Sequence, residues 1–272
     1  MKFNPVQIAL ASALVLSGAA FAQTAAPAAA APAAAAAPAS PWSYNIDLTS
    51  NYKFRGQDQD TSRTSQFKPA LQGGVDYAFA NGFYLGNWNS MTSFIEPNDN
   101  KRANLEIDLY GGYKWSVGDF GFDVGALQYY YPSATKANTT EVYVGTSYGP
   151  FSAKYSSTVS KGYFGTGYVG NNGRGTGYLN IAFAKEVATN LTFKAAIGQT
   201  AFTSNVKNAV GGTPNFTDYS IGASYDLGNG LALAGYVQGA SNAGNAAFSY
   251  TAGGSTRSVN RSTLLFTLTK TL

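Results

Sequence analysis

From residue 44 to residue 56 the chain reads YNIDLTSNYKFRG, with Tyr44, Ile46, Leu48, Tyr52 and Phe54 on one parity and Asn45, Asp47, Thr49, Asn51, Lys53 and Arg55 on the other. A period of two belongs to a strand with one apolar and one polar face, not to a helix. At about 3.3 Å per residue and a tilt of about 45°, such a strand crosses the hydrocarbon thickness of a bilayer, which takes about 9–11 residues. The last segment, 259–272, sets Leu264, Phe266, Leu268 and Leu272 against Thr263, Leu265, Thr267, Thr269 and Thr271. These two segments are expected to meet as the seam of a closed barrel.

Ten further segments have strand character, at 66–79, 83–94, 104–116, 120–131, 138–148, 151–160, 175–187, 191–202, 216–227 and 230–241. Connections after odd-numbered segments are long and polar, whereas those after even-numbered ones are short and hold turn residues such as Asn81-Gly82, Gly118-Asp119, Gly149-Pro150 and Gly228-Asn229. Neither sandwiches nor propellers require that alternation. It predicts an all-β fold, a twelve-stranded antiparallel up-and-down transmembrane β-barrel with long external loops and short periplasmic turns.

Segment 66–79 sorts cleanly, with Phe67, Leu71, Val75, Tyr77 and Phe79 against Gln66, Lys68, Gln72 and Asp76. Segment 83–94 does not. There Tyr84 and Trp88 claim one parity and Phe83 and Leu85 the other, so a β-bulge is expected. Aromatics beside the short turns, among them Tyr77, Phe79, Tyr84, Tyr113, Trp115, Phe120, Tyr148 and Phe151, are expected to form an interfacial girdle.

Composition narrows the chemistry. The 272 residues contain no Cys and no His, which removes disulfides, thiolate or imidazole metal sites and Ser-His hydrolysis. An enzyme is not expected, nor is a cofactor or a metal. The net charge of +4 comes from 18 basic residues spread along the chain, so no nucleic-acid partner is expected. With 31 Gly, 19 Tyr and 17 Phe the chain favours twisted sheet.

Residues 1–22 carry Lys2, an apolar run from Ile8 to Leu16 and Ala20-Phe21-Ala22, the pattern of an export signal. Residues 23–42 are mostly Ala and Pro and read as a periplasmic spacer. Residues 43–272 are left for the barrel.

If the polar parity faces the lumen, its charges sort by position. Lys53, Arg55, Lys68 and Arg261 fall toward the loop ends of strands one, two and twelve, as a basic wall. Glu106, Asp108 and Glu141 fall on strands four and six, as a facing acidic wall. Opposed walls would set a field across the pore and suit polar or zwitterionic solutes. The same charges could instead pair across a plugged lumen. Asp58 and Asp60 form a weak candidate for a divalent cation in a loop. Glu106 and Asp108 could in principle exchange protons, but lumen polarity explains them equally. Residues 165–170 read GTGYVG, a literal GxGxxG, without the following helix that dinucleotide binding needs.

The stretches TSNYKFRGQDQ, PALQGGVDYAFANGFYLGNWNS, LYGGYK, YGPFSAKYS and the terminal TLTKTL together resemble the TorF-type family of porin-like proteins of Gram-negative outer membranes. The resemblance implies an outer-membrane barrel, in contact with membrane lipid, that passes small hydrophilic solutes. It implies no catalytic residues. The expected function is thus a porin-like passive channel for small polar or zwitterionic solutes, with a non-conducting structural or adhesive barrel as the alternative. Trimeric porins and monomeric channels share the loop alternation, so a homo-oligomer is compatible with it.

Overall fold

The computed structural model describes residues 40–272 apart from 97–98, 167–171, 210–211 and 213. The expected signal at 1–22 and nearly all of the spacer at 23–42 lie outside the described residues.

Alternation becomes strand wherever one face can turn outward. Twelve strands form the wall: β1 (Trp42–Thr49), β2 (Ala70–Ala78), β3 (Phe83–Ile95), β4 (Arg102–Val117), β5 (Phe120–Tyr130), β6 (Thr139–Tyr148), β7 (Phe151–Thr158), β8 (Gly177–Ala188), β9 (Leu191–Ala201), β10 (Phe216–Gly228), β11 (Leu231–Ala240) and β12 (Thr263–Thr271). Each pairs antiparallel with its neighbours, and β1 pairs with both β2 and β12, aligning Leu48 with Leu71 and Leu268. The barrel is closed at the expected seam and leaves no free sheet edge.

The pleat separates two environments. Ile46 and Leu48 are each 54% exposed on the outside, while Asp47 is 1% exposed on the inside. The same outward apolar row runs through Leu71, Leu85, Leu109, Val144, Ile197 and Ile221. At the short-turn end the outer rings touch one another, Phe83 with Tyr113 at 4.9 Å between centroids, Tyr113 with Trp115 at 5.7 Å and Phe120 with Tyr148 at 4.8 Å.

Two expectations change. Strand β1 ends at Thr49 instead of continuing to 56, and residues 50–60 turn into the lumen. Tyr52 and Phe54 are therefore 2% and 8% exposed instead of facing outward. Segment 83–94 sorts after all: Phe83, Leu85 and Met91 point out, while Tyr84, Trp88 and Ser90 point in. A register shift does occur between Met91 and Phe94, at the loop end. Tyr84 belongs to the lumen and not to the girdle, because its hydroxyl donates to Asp123 Oδ1 at 2.7 Å.

Candidate functional site

The lumen is organised around the inward segment. Lys53–Phe54 and Gln57–Asp58 pair as a miniature hairpin joined by Arg55 and Gly56, whose φ angles are +47° and +74°. Two central residues with positive φ make a two-residue turn that favours Asn-Gly, so the side chain of Arg55 is placed there against local preference. A Cβ on Gly56 would collide with the Gly239 carbonyl of β11 and lie 2.8 Å from Asp218 Cβ of β10. The tip thus meets β10 and β11, and with Arg55 reaching Glu141 of β6 the hairpin is a plug across the external half of the barrel.

Charge fixes the plug. Lys53 and Lys68 each place Nζ 2.9 Å from a carboxylate oxygen of Asp58, and Arg261 Nη2 stands 3.1 Å from the same group. The side chains of Lys53, Lys68 and Asp58 are wholly buried. The surplus positive charge is spread over carbonyls: Lys53 also donates to Gly56, Val259 and Arg261 oxygens, and Arg261 to those of Thr64 and Ser65. Burial alone would raise the Asp58 carboxyl, but Lys53 and Lys68 outweigh it and hold it below the usual carboxylate range. Burial pushes Lys53 down to about 8 against the pull of Asp58. The tip adds a second pair, Arg55 Nη2 to Glu141 Oε2 at 2.7 Å, with the guanidinium over the Tyr178 ring at 4.1 Å.

This replaces the expected opposed walls. Lys53, Arg55, Lys68 and Arg261 all lie off the barrel strands, and three of them converge on one carboxylate. Glu106 and Asp108 of β4 and Glu141 of β6 do point inward and are buried. Glu106 accepts from the Tyr52 hydroxyl at 2.8 Å and from Tyr131 at 2.9 Å. With both oxygens engaged it is not placed for proton exchange with a substrate. Asp58 is likewise no cation ligand, since its oxygens already face three cations, and Asp60 accepts from the Ser62 amide at 2.8 Å. Among the described residues no group of three or more acidic side chains could hold a metal. The GxGxxG stretch has only Gly165 and Thr166 within the described residues, in the long connection between β7 and β8.

The wall has two unlike halves. On β3 to β6 the inward side chains are bulky: Trp88, Leu127, Tyr129 and Tyr143 pack with Tyr52 and Phe54 of the plug and Tyr131 beyond β5 as one buried cluster. On β8 to β12 the bulky residues Tyr178, Phe216, Tyr236 and Leu265 also point inward, in smaller clusters, and between them stand Asn180, Lys194, Ser220, Gln238, Thr267 and Thr269.

Residues 33–272 match a family described as a bacterial protein of unknown function, Gcw_chp. The chain belongs to the Gcw_chp family. No curated protein matches it in sequence. The solved structure of the NanC porin matches this Gcw_chp barrel with a TM-score of 0.52 at 10% identity, over 84% of this chain and 97% of that one. The KdgM porin gives 0.48 at 10% identity, over 85% and 96%. At such identity the likeness to NanC is one of fold, a porin-type barrel, and nothing in these matches is specific to TorF-type proteins.

Sequence reasoning found the inward acids of the Gcw_chp barrel but missed their partners. Tyr52, Tyr129, Tyr131 and Tyr178 were not singled out for the lumen, because a tyrosine on a strand reads equally as lipid-facing. One signal was legible: Arg55-Gly56 places a glycine where a strand continuing to 56 would need none.

Proposed function

We propose that this chain is an outer-membrane barrel that passes small polar or zwitterionic solutes passively, along the β8 to β12 wall, once the plug hairpin shifts. The observation that carries the reading is the contrast inside the barrel. A lumen meant only to be filled would continue the single aromatic cluster of β3 to β6 around the circle, whereas on β8 to β12 the rings of Tyr178, Phe216 and Tyr236 are interspersed with Ser220, Gln238, Thr267 and Thr269. The apolar outer face supports a lipid surround, since so large an exposed apolar surface is not maintained in water. In this reading Lys53, Lys68 and Arg261 with Asp58 latch the plug, and Arg55 with Glu141 is the charged pair a solute meets at the constriction. No catalytic residue or cofactor enters.

The test is single-channel recording of refolded protein in a planar bilayer, beside a variant in which residues 52–58 are replaced by a short Gly-Ser link. Gln59 N already donates to the Tyr52 carbonyl at 3.0 Å, so the ends lie close enough to join. The expected result is rare small steps from the parent and frequent large ones from the variant. A folded variant that never conducts would establish a structural barrel with a filled lumen.

A further inference from the structure

The outer face of the barrel carries a polar break at mid-depth. On β3 the outward positions run Phe83, Leu85, Asn87, Asn89 and Met91, and Leu85 and Met91 are 58% and 54% exposed, so two neighbouring amides stand between lipid-facing apolar side chains. The surround is apolar or bare sideways too: Asn87 is paired with Val75 of β2 and Leu109 of β4, and Asn89 with Gly73 and Ile107. Counted from Phe83 of the girdle along a strand tilted about 45°, the two amides lie about 9 and 14 Å into an apolar band about 25 Å tall. Gln128 and Gln199 also face outward, but near the external ends of β5 and β9, where each accepts a hydrogen bond at 2.6 Å from a threonine of the next strand, Thr140 or Thr217.

The two amides satisfy each other only in part. Asn89 Nδ2 donates to Asn87 Oδ1 at 2.6 Å, and Asn87 Nδ2 donates to the Asp108 carbonyl at 3.1 Å. The remaining contacts, Asn87 Nδ2 to Asn89 Oδ1 and Asn89 Nδ2 to the Gly73 carbonyl, are both 3.4 Å, at the weak limit of a hydrogen bond. Asn89 thus keeps one N–H and its oxygen for a stronger bond, at a depth where lipid tails offer neither donor nor acceptor. An apolar side chain would serve the wall of a lone barrel at least as well.

An amide with a donor and an acceptor to spare is complementary to itself in charge: two of them facing across a twofold axis exchange a pair of N–H···O bonds. Gly73 beside Asn89 adds no side chain, so a second wall can come close there. We infer that the outer face of β2 to β4 is the interface of a homodimer, two copies of this chain related by a twofold axis along the membrane normal, with the two Asn89 amides meeting at its centre. A lipid headgroup does not reach that depth, and a copy of this chain necessarily carries the matching group. The inference rests on the lipid surround proposed above and is independent of conduction.

The sequence holds no Cys, so Asp119→Cys, in the exposed turn between β4 and β5, takes a single donor or acceptor dye. Energy transfer between full-length copies refolded into liposomes is expected to rise linearly with the acceptor fraction, the mark of a pair, and to fall as the lipid is increased. Asn87→Leu with Asn89→Leu is expected to weaken the association about tenfold, the value of a polar contact held within the membrane. Ile107→Trp, which adds bulk beside Asn89, should weaken it as well, and Ile197→Trp, on the outer face of β9 across the barrel, should not. Heat-modifiable gel mobility establishes that each variant is folded. Transfer untouched by the leucine pair, or lost equally at Ile107 and Ile197, would overturn the interface. Transfer no greater than chance proximity gives, from a barrel that alkaline carbonate does not extract, would make the chain a monomer and overturn the inference alone; extraction by carbonate would overturn the lipid surround with it.

Discussion

Both halves of the lumen wall are built from the inward parity of antiparallel strands, yet β3 to β6 gather their rings with the plug into one large cluster, while β8 to β12 hold smaller clusters separated by short polar side chains. Trp88, Tyr129 and Tyr143, with Tyr131 beyond β5, reach far enough inward to meet Tyr52 and Phe54, and there Glu106 finds two hydroxyls and Glu141 a guanidinium. On the other side Ser220, Gln238 and Thr267 are interspersed with Tyr178 and Tyr236, and the plug meets it at its tip, where Gly56 approaches β10 and β11 and Arg55 lies over the Tyr178 ring. The plug thus packs its rings against one half and meets the other at its tip, so a single hairpin closes a barrel of intermediate size.

The strongest way to test this contrast is to release the ionic latch that ties the plug to the residues flanking β2 and β12. Asp58→Ala leaves Lys53, Lys68 and Arg261 buried around no anion. Removing one partner of a buried ion pair costs about 3–5 kcal/mol, and hydrogen bonds of the hairpin cannot offset that. The plug should undock while the wall stays intact. Trypsin would then cut the folded barrel after Lys53 or Arg55, bonds that are buried in the parent, and bilayer conductance should rise. Unchanged protection would mean that aromatic packing alone holds the plug.

Acidity should act on the same carboxylate more gradually. Asp58 titrates below the usual range when docked, so its contribution is complete above the unfolded value of about 3.9 and is lost as pH falls through the docked value. Lys53 works with the opposite sign of proton balance. Docked it titrates at about 8, below the free value of about 10.4, so the undocked state holds more protons between the two and docking strengthens as pH rises through that window. Lys68 is shifted in the same direction by its burial, and Arg261, Asp60 and Tyr250 face the group as well. Conductance should be flat from about pH 5 to 7, rise below about pH 4 and fall above about pH 8. A rise above pH 8 instead would mean that the Lys53 charge is worth more to the latch than its burial costs.

The sequence shows the wall better than its contents for a physical reason. Outward residues are selected by one uniform surrounding, so Ile46, Leu48, Leu71 and Leu268 alternate cleanly and their strands, turns and seam could be placed. Inward residues are selected by one another across the barrel, through contacts such as Tyr52 with Glu106 or Arg55 with Glu141 that no local period encodes. The basic wall failed for that reason. Lys53 and Arg55 keep the parity of β1 past Thr49, and parity alone cannot tell a continuing strand from one that has turned inward. The aromatic pair Tyr84 and Trp88 looked like a register conflict only because aromatics were assigned to the outside.

The smallest effect bears most directly on whether the two halves differ. Tyr131→Phe removes a hydroxyl donor from a buried Glu106, whose other oxygen is held by Tyr52, and an unsatisfied buried acceptor costs about 1–3 kcal/mol. Thr267→Val is of similar shape and removes the hydroxyl that donates to Thr49 Oγ1 at 3.0 Å. If β8 to β12 line a passage that water can enter, Thr49 keeps its own bond to the Asn51 carbonyl at 2.9 Å and water replaces the rest, so the loss stays below about 0.5 kcal/mol. If that half is a second core, the loss approaches that of Tyr131→Phe. Urea unfolding of the two variants side by side, read as midpoints at constant slope, decides between them. Equal losses would make the whole lumen one packed interior and leave the proposed solute path without a wall.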